Sequence, residues 1–360
     1  MSLSNIFGEI LNLSLMGMLL TILLIFLKKL LRNRFSASWH YMVWFLLVFR
    51  LITPIAPANS MSIYNLFMPA MMEVQQQGSE SEEIPHYNGK VEESSQHDDV
   101  KYQIDNIKNE NESIEENDAK RRGTLFETLS LIWFIGAGIT TVITIIHNII
   151  FYKKIKYSIQ CSDPKALMVM EECCKALLMK KTVPVYLNKK VRGPLLFGLF
   201  KPRIIISGEL LNNLSRNEIK HVFLHELIHY KRLDILTNFI TAALRCIYWF
   251  NPIIHYGLYK MGEDCELSCD ERVLKKLSPL EYKSYGLTII NLTKIMTMYY
   301  PPTCTSTLIQ KKSNIQRRIN MISKFKQKTA LTTVFAVLLT ILIGCSTLTN
   351  AKPVYQTSAG

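Results

Sequence analysis

The sequence lacks the paired CxxC motifs that structural zinc knuckles use. It contains eight cysteines, but neither the adjacent Cys173 and Cys174 nor the pair Cys265 and Cys269 has a second CxxC partner. This spacing argues against a structural zinc knuckle. The polar segment 57–122 has no cysteine at all. The simplest interpretation is that most of the thiols face a reducing cytosol.

Acidic side chains are comparatively few, with 29 Asp and Glu against 42 Lys and Arg, so the formal net charge is +13. Such a charge suggests either nucleic acid or an anionic membrane surface as a partner. No DNA-reading motif accompanies it, which argues against direct contact with nucleic acid. Long apolar runs flanked by Lys and Arg instead favour membrane lipid.

Four apolar segments are each long enough to cross a bilayer, at about 6–27, 39–56, 125–151 and 330–345. Positive charge near helix ends marks the cytoplasmic side. The basic loop 28–38, the start of the segment at 153 and the stretch 324–328 are therefore predicted to lie inside, and both chain ends outside. The basic run 120–122 lies on the opposite side in this scheme.

The segment 57–122 carries 14 acidic and 6 basic side chains and lacks apolar periodicity. Its composition predicts a disordered extracellular loop rather than a folded sensor. The predicted divisions are 1–56 for two N-terminal transmembrane helices, 57–122 for this loop, 123–151 for the third transmembrane helix, 152–328 for a cytoplasmic domain, 329–346 for the fourth helix and 347–360 for a short extracellular tail.

Within the cytoplasmic domain, residues 181–207 have the pattern of strands. Val183, Val185 and Leu187 alternate with other residues before the Gly/Pro-punctuated run GPLLFGLFKPRIIIS. The rest of this domain has helical patterns. The sequence therefore predicts a mainly α membrane protein with a cytoplasmic α+β domain.

Residues 225–229 read His-Glu-Leu-Ile-His, the HExxH pattern of zinc peptidases. On a helix, His225 and His229 lie one turn apart on one face and can bind one Zn²⁺. Glu226 can then accept a proton from water at the metal. Ser215 and Glu218 fit a capping box that would begin this helix.

A catalytic zinc site needs a third protein ligand and an open position. The downstream candidate is Glu266, four residues before Asp270, so that one helix can present both carboxylates. Asp270 is a candidate to orient a ligand imidazole, as is Asp234. Glu263 or Asp264 could replace Glu266 as the third ligand. Cys265 and Cys269 could also bind zinc, but a thiolate-rich site suits structural zinc better than hydrolysis.

The apolar stretch 239–258 separates the HExxH pattern from Glu266. If it crossed the bilayer, the two histidines and Glu266 would lie on opposite faces and could not share an ion. Arg245, Asn251 and Pro252 within the stretch favour a buried, re-entrant or interfacial helix instead.

The chain resembles the BlaR/MecR peptidases, membrane metalloproteases of the beta-lactam sensor-transducer type. The resemblance covers nearly all of the sequence. It is carried by two N-terminal apolar segments joined by a short basic loop, by GPLLFGLFKPRIII, by HELIHYKRLD, by YWFNPIIHY and by EDCELSCDERVL.

The resemblance implies a gluzincin-like zincin domain on the cytoplasmic face of four membrane helices in a bacterial cell membrane. It implies zinc on His225, His229 and Glu266, with Glu226 as general base. It also implies self-cleavage and cleavage of a cytosolic repressor protein. Arg317-Arg318 lies where self-cleavage is expected; the alternative is a basic juxtamembrane patch facing anionic lipid.

One departure concerns the C-terminus. Beta-lactam sensors continue into an extracellular penicillin-binding domain with SxxK, whereas about 15 residues follow the last apolar segment here, without that motif. Covalent sensing of a beta-lactam by this chain is not expected. Either the sequence belongs to a longer protein, or the chain is a relative that receives its signal elsewhere.

Two other functions stay open on the sequence alone, a non-catalytic membrane transducer with a structural metal site and a general membrane quality-control protease. The oligomeric state also stays open. An oxyanion donor besides zinc would be needed for hydrolysis, with His255, Tyr248 and Tyr256 as the candidates.

Overall fold

A computed structural model describes residues 2–32, 34–53, 97–299, 305–327 and 329–347. The chain divides into two compact units. One comprises Met1–Leu13, Pro54–Gly136 and Cys345–Gly360, and the other comprises Ser14–Thr53 and Ala137–Gly344. In the first unit, the rings of Phe126 and Trp133 pack on Phe7, with centroids 5.4 and 5.9 Å away. The second unit contains every candidate site residue.

Two of the described helices are long and apolar enough to cross a membrane. Helix α1 spans Leu3–Leu30, and the second lies within α4, His97–Ile155, at Lys120–Ile155. The other two predicted spans correspond to shorter apolar helices. One consists of α2 (Ala37–Met42) and α3 (Trp44–Ile52), and the other is Val334–Cys345 within α12, Ala330–Thr347. The count of four transmembrane helices therefore stays a prediction.

Helix α4 begins earlier than the sequence pattern indicated. Its first residue is His97, so it extends through 97–122 of the segment predicted to be disordered. Glu and Lys, which favour helices, recur in this stretch, and helix propensity does not require an apolar stripe. Residues 57–96, the rest of the predicted loop, lie outside the described residues, as do residues 54–56 at the end of the second predicted span.

Three strands of a four-stranded sheet lie within 181–207, where strands were predicted, and the fourth, Ile159–Gln160, lies in a part predicted to be helical. Its strands are β1 (Ile159–Gln160), β2 (Val185–Leu187), β3 (Leu195–Phe197) and β4 (Arg203–Ile206). They lie in the order β1-β2-β4-β3, with β2 and β4 parallel and the other two pairings antiparallel. The register opposes Leu195 to Ile205 and Phe197 to Arg203. Strand β3 is therefore an edge strand, with one side free of sheet hydrogen bonds.

A hydrophobic core lies between the sheet and two helices. Helix α5 (Pro164–Ala176) packs against α7 (Arg216–Lys231) after the short α6 (Gly208–Asn212). Val169, Ile204, Phe223 and Leu227 are fully buried there. The predicted capping box is confirmed, because the Ser215 side chain accepts from the Glu218 amide while the Glu218 carboxylate accepts from the Ser215 amide.

The apolar stretch 239–258 is two helices rather than one. Helix α8 (Asp234–Ile247) ends before a bend, and α9 (Pro252–Leu274) begins after Asn251, whose side chain caps it. The Asn251 amide donates to Ser14 Oγ at 2.8 Å, and the Tyr248 hydroxyl donates to the carbonyl of Leu51 at 2.8 Å. The bend thus packs on α1 and α3, and the chain then turns back towards the HExxH helix α7. This confirms that the stretch does not separate the HExxH helix from Glu266.

Two further helices follow α9 before the last apolar helix. A short 3₁₀ helix, Pro279–Glu281, leads into α10 (Tyr282–Tyr299), and α11 (Thr305–Ser323) precedes the last apolar helix, α12. Helix α11 packs against both α9 and α10. Helices α7, α9, α10 and α11 therefore surround one region, and the candidate site lies between them.

Candidate metal centre

The two histidines of the HExxH pattern lie one turn apart in α7, with their ring nitrogens converging. The Nε2 atoms of His225 and His229 are 3.1 Å apart, and both side chains are largely buried. The capped start of α7 at Ser215 leaves both histidines well inside the helix, where the backbone fixes their spacing. The local sequence is therefore sufficient to pair them.

Glu266 of α9 meets this pair from the other side. Its Oε2 lies 3.4 Å from His225 Nε2, and its Oε1 lies 3.6 Å from His229 Nε2. Tetrahedral ligands held about 2.0–2.1 Å from a common ion are themselves about 3.3 Å apart. The two contacts use different oxygens of the Glu266 carboxylate, and each distance is close to that between two ligands of one metal ion.

Cys269 is a fourth donor within reach. Its sulfur and one nitrogen from each of His225 and His229 all lie within 4.8 Å of one another, and the side chain is fully buried. The thiol also donates to the His225 carbonyl at 3.3 Å. Cys269 is three residues after Glu266 and therefore shares its helix face. A second group of donors combines His229 with Asp234 and Cys265.

The outer nitrogens of both imidazoles are held by hydrogen bonds. His229 Nδ1 lies 2.7 Å from Asp234 Oδ2, and His225 Nδ1 lies 3.1 Å from the Tyr285 hydroxyl and 3.3 Å from Asp270 Oδ1. A proton on each Nδ1 satisfies these contacts and leaves both Nε2 lone pairs for an ion. The predicted contacts of Asp234 and Asp270 with ligand imidazoles are thus confirmed. Tyr285 was not predicted, because nothing in its local sequence marks it.

Burial by itself would lower the pKa of both histidines. The Cys269 sulfur and the nearby Asp234 and Asp270 carboxylates outweigh it, so the pKa of each imidazole lies well above its ordinary value. Protons therefore compete with a metal ion for the two Nε2 atoms, and metal affinity should fall at acid pH.

Arg318 of α11 connects the two carboxylates of α9. Its guanidinium donates to both oxygens of Asp270, at 2.7 and 2.6 Å, and lies 3.4 Å from Glu266. Burial alone would raise the pKa of Asp270, but Arg318 outweighs it and holds that pKa at about 2. The pKa of Glu266 is likewise well below its ordinary value, because its hydrogen bond to His225 and the Arg318 charge overcome burial. Both groups are therefore carboxylates at neutral pH.

Arg317 and Arg318 both pair with carboxylates of α9, and self-cleavage between them stays a prediction. Both residues lie inside α11, where Arg317 pairs with Glu263 and Asp264 while Arg318 pairs with Asp270. These contacts direct both side chains towards α9. The peptide bond between them is helical, whereas proteases bind extended segments.

A cavity of about 690 Å³ opens over the three donor atoms. Glu226, only 9% exposed, lines it beside His225 and His229. Leu195 and Leu196 of the edge strand β3 form another wall, and further apolar side chains complete it, among them Val222, Leu267, Ile289, Leu292 and Met296. The site can therefore take a partly apolar chain segment next to a metal ion and a carboxylate.

The expected oxyanion donors were wrong as members of this site. Tyr248, His255 and Tyr256 do not line the cavity, and the Tyr248 hydroxyl is engaged with the carbonyl of Leu51. The reason is the bend at Asn251, which packs this part of the chain on α1 and α3. His221, one turn before His225, is 1% exposed, and its Nδ1 lies 2.8 Å from Thr288 Oγ1.

Comparison with known proteins identifies relatives along almost the whole chain. The Regulatory protein BlaR1 of Bacillus licheniformis is 26% identical over 306 residues, which is 84% of this chain and 49% of that protein. The Methicillin resistance mecR1 protein of Staphylococcus aureus is 24% identical over 323 residues, 88% of this chain and 52% of that protein. The chain thus spans about half the length of the curated relatives it matches.

The family model described as BlaR1 peptidase M56 matches residues 8–322. That range includes most of α1, the whole sheet and all but the last residue of the four helices around the candidate metal centre. A metallopeptidase family fits the cluster of two imidazoles with a carboxylate and a thiol. The chain therefore belongs to the M56 peptidase family, as the resemblance to the BlaR/MecR peptidases predicted.

Proposed function

We propose that the chain is an integral membrane zinc metalloendopeptidase that acts in signal transduction. His225, His229 and Glu266 would hold the zinc ion, and Glu226 would serve as the general base. The observation that carries the proposal is the convergence of the two Nε2 atoms and the Glu266 carboxylate, with contacts of 3.1 to 3.6 Å, below a cavity that Glu226 also lines.

Zinc bound there would supply Lewis acidity, which polarises water and the scissile carbonyl. The Glu226 carboxylate takes a proton from the attacking water and delivers it to the leaving amine. Asp234 and the Asp270–Tyr285 pair keep the two imidazoles in the tautomer that presents Nε2. The apolar wall excludes bulk water and strengthens these electrostatic interactions.

An extended peptide can bind as an added strand. Strand β3 pairs with β4 on one side only, and its Leu195 and Leu196 line the cavity. Main-chain hydrogen bonds from a substrate to the free side of β3 would align a peptide bond over the metal centre. Apolar pockets beside the strand would then favour apolar side chains near the cleaved bond.

The relatives named Regulatory protein BlaR1 and Methicillin resistance mecR1 protein suggest the biological setting. We place the chain in a bacterial cell membrane as a multi-pass protein with a cytoplasmic gluzincin-like protease domain. The proposed reactions are self-cleavage and promotion of cleavage of a cytosolic repressor linked to beta-lactam resistance. The basic loop 28–38 and the basic stretch 324–328 would lie on the same membrane face. In support, the Trp39 indole donates to the carbonyl of Ala336 at 3.0 Å, so that α2 and α12 adjoin.

Self-cleavage at Arg317-Arg318 would require α11 to unwind locally. It would also break the Arg318 contacts to Asp270 and so alter the metal centre. A cut in a segment that is already extended costs less free energy, because no helix must open first. Mapping the new termini distinguishes cleavage at Arg317-Arg318 from cleavage in an extended segment.

The test uses the full chain in detergent and in proteoliposomes. Wild type should contain one zinc ion per chain and produce defined cleavage termini, whereas Glu226→Gln should retain zinc and lose cleavage by at least about a hundredfold. Glu171→Gln is the matched control, since Glu171 is an exposed glutamate that pairs only with Lys175. Undiminished cleavage by Glu226→Gln would refute the mechanism.

A structural metal site is the second candidate, and Cys269 is the observation that favours it. Addition of its thiolate to His225, His229 and Glu266 would give four protein ligands and no open position. Cys269→Ser should retain zinc and cleavage if the site is catalytic. Loss of zinc in this variant, with no cleavage by wild type, would support the structural role.

A further inference from the structure

A second cavity, of about 950 Å³, lies where α1, α2, α9 and α11 meet. Seven Lys and Arg side chains and two carboxylates line it. The cationic residues include Lys28, Lys29, Arg32, Lys260, Lys324 and Lys326. They come from the end of α1, from α9 and from the segment between α11 and α12. A concave site with so much charge of one sign concentrates its electric potential.

The two carboxylates in the cavity are already paired. Asp264 accepts from Lys28 and from the Trp44 indole, and Arg317 lies 3.3 Å away. Glu271 pairs with Lys275 at 2.7 Å and accepts from the Ser38 amide at 2.7 Å. Little negative charge is therefore left to neutralise the remaining cations.

Four cations of the cavity have no such partner. In the described part of the chain, Lys29, Arg32, Lys324 and Lys326 form no ion pair, and all four are exposed. On a convex surface, water alone would stabilise the charge of any one of these side chains. Here they surround one cavity, where each raises the free energy of the others unless an anion binds.

The cavity also has features of a headgroup site. It lies at the ends of the apolar helices α1 and α12, and Phe35 and Trp44 contribute aromatic walls. The buried Nε2 of His40, another lining residue, has no hydrogen-bond partner among the described residues. Phe26 and Leu331, on α1 and α12, are 62% and 79% exposed, which leaves apolar surface for acyl chains.

From these observations we propose that the basic cavity binds a phosphate group, and that an anionic phospholipid such as phosphatidylglycerol supplies it. Basic pockets between membrane helices on the cytoplasmic side suit such headgroups. The acyl chains would lie along α1 and α12, with the phosphate among Lys29, Arg32 and Lys324. The site does not include His225, His229 or Glu266, although Leu267 and Arg317 line both cavities, and lipid binding there does not require peptidase activity.

Short-chain phosphatidylglycerol and phosphatidylcholine with identical acyl chains test the site. The thermal unfolding midpoint of the full chain in neutral detergent is measured as each lipid is titrated. Phosphatidylglycerol should raise the midpoint with half-saturation at least tenfold below that of phosphatidylcholine. The quadruple variant Lys29→Gln, Arg32→Gln, Lys324→Gln and Lys326→Gln should lose that difference.

The matched control removes four positive charges outside the cavity, by Lys153→Gln, Lys154→Gln, Lys156→Gln and Lys181→Gln. It should respond to phosphatidylglycerol as wild type does. Equal loss in both quadruple variants would mean diffuse attraction to the basic surface and would overturn the site. If the quadruple cavity variant unfolds without lipid, the double variant Lys29→Gln and Lys324→Gln takes its place, with a proportionally smaller loss expected.

Inorganic phosphate distinguishes the two sources of the phosphate group. At millimolar concentration it should not raise the midpoint of wild type if the acyl chains contribute to binding. Protection by inorganic phosphate that the cavity variant loses would support the site but overturn its assignment to a lipid. If the cavity variant still prefers phosphatidylglycerol tenfold over phosphatidylcholine, both the site and its assignment to a lipid are overturned.

Discussion

The Nδ1 atoms of His225 and His229 have different hydrogen-bond partners. Asp234 binds His229 directly, whereas Asp270 reaches His225 together with Tyr285, whose hydroxyl donates to Asp270 at 2.7 Å. Asp270 is in turn fixed by Arg318. Each carboxylate orients its imidazole and raises its basicity towards a metal ion.

Asp234→Asn should weaken metal binding about tenfold, and Asp234→Ala by up to about a hundredfold. The asparagine oxygen can still accept the His229 Nδ1 proton, but it supplies no negative charge. Competition with a chelating dye measures the dissociation constant. Glu171→Gln should leave it unchanged, and an unaltered constant in Asp234→Ala would contradict the assigned role.

His221 should make the fold sensitive to acid. Burial lowers its pKa to about 4, while an unfolded chain titrates near 6.5. Between these values the unfolded state binds the extra proton, so the free energy of unfolding falls as pH drops from about 6.5 to 4. The loss should be on the order of 2 kcal/mol.

The His221 prediction is checked by chemical unfolding of chelator-treated protein at pH 7 and pH 4.5. Treatment with chelator removes the effect of metal release at acid pH, while His225 and His229 titrate alike in wild type and variant. His221→Gln should flatten the difference between the two pH values. If the variant and wild type lose the same stability, another group is responsible.

At the scale of elements, α7 depends on its N-terminal cap. Ser215 and Glu218 close a capping box, and Glu218 also accepts from Asn291 of α10 at 2.7 Å. Ser215→Ala should lower the free energy of unfolding by about 1 kcal/mol. Denaturant titration measures this, with the exposed Ser162→Ala as a control that should cost little. An unchanged midpoint for Ser215→Ala would show that the box is not needed.

The turn between β3 and β4 depends on Gly198. Its φ is +93°, and a Cβ there would lie 2.4 Å from the Lys201 carbonyl oxygen. Gly198→Ala should therefore destabilise the protein by about 1–3 kcal/mol and displace the edge strand. Peptide cleavage should show a raised KM with zinc content intact, because β3 is the proposed binding edge. Gly208→Ala, where a Cβ would meet no atom within 4 Å, is the control.

At the scale of the whole molecule, a bound ion would join two helices that are distant in sequence. His225 and His229 belong to α7, and Glu266 belongs to α9 after the α8 bend. Metal that binds the folded state alone stabilises it by about 4 kcal/mol at a thousandfold excess over its dissociation constant.

Removal of metal by a chelator should lower the thermal unfolding midpoint by several degrees, and added zinc should restore it. Glu266→Ala should show a smaller response, since one ligand is gone. Identical midpoints for chelated and reloaded wild type would exclude a metal link between α7 and α9.

The sequence by itself determined what depends on residues close together in the chain. The pairing of His225 with His229, the cap at Ser215 and the bend signalled by Asn251-Pro252 follow from backbone geometry over a few residues. Apolar runs likewise marked α1 and the later part of α4, because about 20 residues span a bilayer.

Only the tertiary structure decided which distant side chains meet. It brought Glu266 to the imidazoles, placed Arg318 on Asp270, made β3 an edge strand and gathered the basic ends of α1 and α11 around one cavity. Periodicity is silent on such contacts, because they depend on how whole helices pack against one another and not on the pattern within any one of them.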